Sequence, residues 1–239
     1  MLELIQPISK RDQVVRAMKD AILSGSIAPG ASIVESKIAQ QLGAGVPLIR
    51  EALIELEHQG FVQRTPYKGT TVTKLSPVDV QRIFALRVEM EALAIEWAKS
   101  NITDADVEHL RQTIHRMEEA AKVLDLPQFY ECDLAFHRKI WSLCGNPYLA
   151  DALERLVVPL FAFFLMQTSR QHDSYVESAC MHAQVVEAIP QMNAVELREM
   201  FRNSLVNWKD DMFVLLFSGE NQENKENKEN KTQSLVAPV

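Results

Sequence analysis

Between Val34 and Val72 the chain places two short helical stripes directly before two β-rich segments, an order that few small folds accommodate. Glu35-Ser36-Lys37-Ile38-Ala39-Gln40-Gln41-Leu42 puts Ile38, Ala39 and Leu42 on one stripe of a helix, and Gly43 supplies a left-handed stop. Pro47 suits the first position of the next helix. There Ile49, Ala52, Leu53 and Leu56 recur at i, i+3, i+4 and i+7 and bury one face, leaving Arg50 off it. Gly60 ends that helix. Phe61-Val62-Gln63-Arg64 and Thr70-Thr71-Val72-Thr73 then read as strands around the turn Pro66-Tyr67-Lys68-Gly69. Two helices at a sharp angle followed by a hairpin make a winged helix-turn-helix, whose second helix is shaped to enter the major groove of duplex DNA.

Charge locates that partner within the chain. The net charge of -7 is unevenly spread: residues 1–74 hold 9 Lys and Arg against 7 Asp and Glu, and the remainder holds 16 against 25. A module this weakly basic must attract phosphate through placed residues, and Lys10, Arg11, Lys37, Arg50, Arg64 and Lys68, with Gly69 at the wing tip, are the candidates. Two such modules in a homodimer strengthen the effect. A length of 239 residues and a hydrophobic fraction of 47% suit two domains, expected at 1–74 and 75–218. The start of the chain lacks a basic, apolar and small-residue leader, and the longest apolar run, Leu156 to Met166, contains Pro159 and is too short for a bilayer. A cytoplasmic protein that meets no membrane is expected, with Cys132, Cys144 and Cys180 as reduced thiols serving as apolar filler.

Beyond Thr73 the pattern is helical throughout. Ser76-Pro77-Val78-Asp79 and Thr103-Asp104-Ala105-Asp106 each combine an N-cap with an acid three residues on. Further starts fall at Pro127, at Asn146-Pro147, near Ser174 and near Asn193, giving about six helices if Pro159 lies inside the fourth. The fold expected is mainly α, a winged helix-turn-helix followed by an antiparallel all-α bundle. From 219 to 239 the Glu-Asn-Lys triplets offer no apolar face, and a disordered tail is expected.

Within the bundle, Asp133 and His137 stand four apart on one helix face, where a carboxylate and an imidazole converge on one ion. His182, on a later helix among Val185, Val186 and Ile189, offers a third donor from across the bundle. His58, His109, His115 and His172 lack partner spacing and read as surface residues.

These residues also carry a family resemblance. Ile22-Leu23-Ser24-Gly25, Pro29-Gly30, Glu35, Leu42-Gly43, Arg50-Glu51-Ala52-Leu53, Leu56, Gly60-Phe61-Val62 and Gly69 resemble the DNA-binding domain of the GntR family. Asp133, His137 and His182, with Arg87, Glu91 and Asn146, resemble the metal-containing effector domain called FCD, found in the fatty-acid-regulator branch of that family. The resemblance implies a bacterial transcription regulator, a repressor that binds operator DNA as a homodimer and is controlled by a small organic acid. It implies zinc or nickel on Asp133, His137 and His182, and effector contacts from Arg87, Asn146 and Asn203. Two departures stand out: Gly45-Val46-Pro47-Leu48 replaces the usual Ser-Arg-Thr-Pro, and Asn203-Ser204 stands where relatives carry a further histidine. Arg87 has a second reading as an intrahelical partner of Glu91. Two alternatives to the regulator remain, a metal-dependent hydrolase using the Asp-His-His set and a dimer that has lost DNA or effector binding.

Overall fold

The computed structural model describes residues 9–67, 69–168, 172–209 and 213; Lys68, the side chain of His172 and the segment 219–239 lie outside the described residues. The chain begins with α1 (Lys10–Leu23), which the motif reading passed over although Val14, Val15, Met18 and Ile22 form a helical stripe. Ser9 caps it through Asp12 N, and its buried face packs on α3 (Val46–His58). Between them lies α2 (Glu35–Leu42), which stops at Gly43 with φ 61°, as its sequence predicts. Ile49, Ala52, Leu53 and Leu56 of α3 are fully buried. Leu42 departs from its stripe and stays exposed.

The wing consists of β2 (Val62–Thr65) and β3 (Gly69–Val72), antiparallel with Val62 opposite Val72. A further strand, β1 (Ser32–Ile33), pairs with the other edge of β3 and was not anticipated, because two residues cannot show an alternating pattern. Tyr67 at the wing tip adopts φ 64° with its ring fully exposed.

The described residues after the wing form six helices: α4 (Pro77–Ala98), α5 (Asp104–Val123), α6 (Leu126–Leu143), α7 (Pro147–Thr168), α8 (His172–Ala188) and α9 (194–209). Both expected capping boxes are present, Ser76 with Asp79 and Thr103 with Asp106. Asp125 caps α6 through Gln128 N. Pro159 sits inside α7 without ending it. Helix α6 packs against α4, α5 and α7, while α8 lies on α5 and α9 is tied to α4 by Arg198–Glu96 and Arg202–Glu89 at 2.7 and 2.8 Å. No helix among the described residues is long and apolar enough to cross a membrane.

The two parts meet at the C-terminal end of α3. Gly60 has φ 73°, and a Cβ there would lie 2.5 Å from the carbonyl oxygen of Val158 and 2.9 Å from Cα of Pro159, so the chain rests directly on the α7 backbone. Only glycine allows that approach. From α6, Tyr130 Oη donates to the carbonyl of Gln59 at 2.5 Å and Arg138 Nη2 to the carbonyl of His58 at 3.4 Å.

Candidate functional site

The exposed face of α3 carries Pro47, Arg50, Glu51, Ile54, Glu57 and His58, so Arg50 is its one arginine or lysine. Arg50 is 61% exposed, and its Nε donates to Oε2 of Glu35 at 2.6 Å, a lock across the helix-turn-helix that the sequence reading did not foresee. Lys37 is exposed on α2. Arg64 is exposed on β2, where Glu57 accepts from its backbone N–H at 3.2 Å. Gly69 begins β3 with φ 88°. Val46 is half-buried and packs against the core.

The bundle brings Asp133, His137 and His182 together. Nε2 of His137 and Nε2 of His182 are 3.1 Å apart, and Oδ1 of Asp133 lies 3.1 Å from the latter and 3.7 Å from the former. Ligand atoms that share one ion at zinc bond lengths of about 2.0 to 2.2 Å are spaced in this way. The outer nitrogens confirm which atoms face inward. Nδ1 of His182 lies 2.7 Å from the carbonyl of Ser178 and donates to it. Nδ1 of His137 lies 2.8 Å from Oε1 of Glu91, oblique to the ring N–H. With a proton on each Nδ1, assigned from these acceptors, two imidazole lone pairs and a carboxylate oxygen converge on one point. A cation removes that conflict, and the outer acceptors fix both rings as metal ligands require. No other cluster of this kind occurs among the described residues.

Protonation favours the same arrangement. Burial lowers the His137 pKa and keeps the ring neutral. Burial also works to raise Asp133, but its neighbours His182, His137 and Arg87 outweigh it and bring it below the ordinary carboxylate value, so it faces the site ionised. For Glu91 burial is likewise the largest influence, yet His137 and Arg87 outweigh it and hold its pKa at about 2. Glu91 is the residue whose importance the sequence reading understated. Fully buried, it accepts from Arg87 Nε at 3.1 Å and Trp141 Nε1 at 3.1 Å besides facing His137. Trp141 at i+4 from His137 was the available signal.

The intrahelical reading of Arg87 is present in the fold. Its Nε pairs with Glu91, while Nη1 is buried without a hydrogen-bond partner and the side chain borders a cavity of about 40 Å³. Asp133, His137, His182 and Ser204 border the same cavity. Two expected effector contacts are placed elsewhere. Asn203 is exposed on the outer side of α9, because one residue shifts the helical phase by 100°, and Ser204 faces the cavity instead. Asn146 caps α7, its Oδ1 accepting from the N–H groups of Tyr148 and Leu149 at 3.0 and 3.3 Å. His58, His109 and His115 are exposed, as anticipated. Cys132 and Cys144 are buried filler; Cys180 is exposed, because it lies two residues from His182 and so faces away from it.

A winged helix-turn-helix resting on a helical bundle with a cavity bordered by Arg87, Asp133, His137 and His182 is the build of a transcription regulator. The chain belongs to the GntR family: residues 10–72 match the bacterial regulatory proteins of the gntR family, and residues 82–207 match the FCD domain. It is 27% identical over 146 residues to the HTH-type transcriptional regulator McbR of Escherichia coli K12, covering 61% of this chain and 66% of that protein. It is 28% identical over 151 residues to the HTH-type transcriptional repressor RspR of the same strain, covering 63% of this chain and 65% of RspR. The chain thus spans slightly under two thirds of these relatives. The solved structure of E. coli McbR/YncC shares the fold, with a TM-score of 0.65 at 22% identity over 90% of this chain and all of that one. These families and relatives are regulators, not enzymes, and the hydrolase alternative has no support among them.

Proposed function

We propose that the chain is a homodimeric repressor that acts on operator DNA in the cytoplasm and is controlled by a small organic acid bound in the bundle beside one divalent cation. The observation that carries the effector half is the convergence of Asp133 Oδ1 and two imidazole Nε2 atoms whose Nδ1 atoms already face acceptors. Asp133, His137 and His182 would hold zinc or nickel, which supplies a positive pole for a carboxylate. Arg87 offers that carboxylate its unpartnered Nη1. With Ser204 at the cavity in place of a histidine, three protein ligands leave coordination positions for the effector.

DNA is read by α3 through Arg50, with Lys37, Arg64, Lys68 and Gly69 on phosphates or the minor-groove side of the wing. Helix α6 links the two functions. It holds Asp133 and His137 and also Tyr130 and Arg138, which bind the last carbonyls of α3.

Two measurements test this reading. Purified protein loaded with zinc or nickel should hold one ion per chain and lose it in a His137→Ala, His182→Ala double variant; a sub-stoichiometric wild type would remove the metal. Fluorescence anisotropy with DNA from the chain's own upstream region should show salt-sensitive, sequence-preferring binding that Arg50→Ala weakens by about 1 to 3 kcal/mol. Without such a preference the regulator reading fails.

A further inference from the structure

A second cavity, also about 40 Å³, adjoins the first and shares Asp133, Phe161, Ser178 and Trp208 as walls. Its far side is apolar and aromatic, lined by Phe129, Phe164, Leu165 and Tyr175, with Phe129 and Tyr175 edge to face at 4.9 Å. The hydroxyls on that side are already committed. Thr168 Oγ1 donates its one proton to the carbonyl of Phe164 at 2.8 Å, so in its 2.8 Å contact with Tyr175 the tyrosine is the donor. Tyr130 spends its proton on Gln59. Water needs two to four polar partners, and the far side supplies none of these donors to it. The charged groups therefore lie at the shared partition and beyond it, and the other end is mainly apolar and aromatic, with no free hydroxyl proton.

We infer that this second chamber receives the apolar end of the effector, and that the effector is a short-chain saturated carboxylate with an alkyl end of about three carbons. The inference rests on the carboxylate reading of the metal-side cavity proposed above. Size sets the limit: an apolar cavity that takes a benzene measures about 150 Å³, and this chamber is a fraction of that, with room for a short alkyl group only. A long acyl chain or an aromatic ring exceeds it. Each methylene that enters leaves water for an apolar wall, a gain of about fourfold in affinity.

The test is a chain-length series on zinc-loaded full-length protein, with acetate, propionate, butyrate, valerate and octanoate titrated by calorimetry and by tryptophan fluorescence, since Trp208 borders both cavities. Affinity is expected to rise about fourfold per methylene from acetate to butyrate, to level off at valerate and to fall at octanoate. In Leu165→Phe, which fills the chamber, the series should come out flat. A flat series in the wild type, a continued gain at octanoate, or a gradient that survives in Leu165→Phe overturns the assignment while leaving the carboxylate reading in place. If none of the five acids binds, the carboxylate reading itself fails and this inference falls with it.

Discussion

Tyr130 Oη donates to the carbonyl of Gln59 at 2.5 Å, so a residue three positions before Asp133 closes the end of the recognition helix. The same ring packs on Phe61 at 5.2 Å, and burial pushes its phenol well above the ordinary range, which keeps it a donor. The metal-type cluster and the end of α3 are therefore connected by little more than one turn of α6.

Tyr130→Phe keeps the ring and removes the proton that Gln59 receives. Leaving that carbonyl without its partner should cost about 1 to 3 kcal/mol, read as a fall in Tm of a few degrees. The ratio of DNA affinities with and without zinc plus butyrate should shrink severalfold, because coupling between such sites amounts to about 1 to 3 kcal/mol. An unchanged ratio would show that occupancy is not relayed through this contact.

Glu91→Gln should be among the most damaging single changes. It removes the charge of the carboxylate hydrogen-bonded to Arg87, which is only 3% exposed. Breaking a buried pair by neutralising one partner costs about 3 to 5 kcal/mol, and thermal unfolding should move down by roughly 10 °C. Arg202→Ala breaks the exposed pair with Glu89 and should cost under about 1 kcal/mol. Equal effects of the two substitutions would contradict the buried network.

Lys19 predicts an alkaline effect. It is 5% exposed, lies over the rings of Phe61 and Tyr130 at 5.2 Å each, and has Glu131 at 4.0 Å. Burial lowers its pKa below the ordinary 10.5, outweighing the pull of Glu131, Asp20 and Glu55. The folded state thus gives up this proton at lower pH than the unfolded one, so the cost of burying the charge is present at neutral pH and is relieved as pH rises toward 10.5. Lys19→Met, which keeps the apolar stem, should match or exceed the wild-type Tm at pH 7, with its advantage shrinking as pH rises toward 10.5. An advantage that grows with pH would reverse the sign and refute the argument.

Much of this architecture is a local property of the chain. Gly43, Pro47 and the Ile49-Ala52-Leu53-Leu56 stripe define the helix-turn-helix through conformational limits and helical period that need no distant partner. Capping at Ser76, Thr103 and Asn146 marks helix starts for the same reason. The end of α5 was not marked, since Leu124 takes the left-handed position, φ 54°, where glycine is usual. Asp133 and His137 share a face by spacing alone. That His182 meets them, that Ser204 and not Asn203 faces the cavity, and that Gly60 rests on the backbone at Pro159 were decided by how helices far apart in sequence pack. Periodicity states which face of a helix is buried; the depth and rotation at which two such faces interlock come only from the joint fit of their side chains, and with them which polar atoms meet.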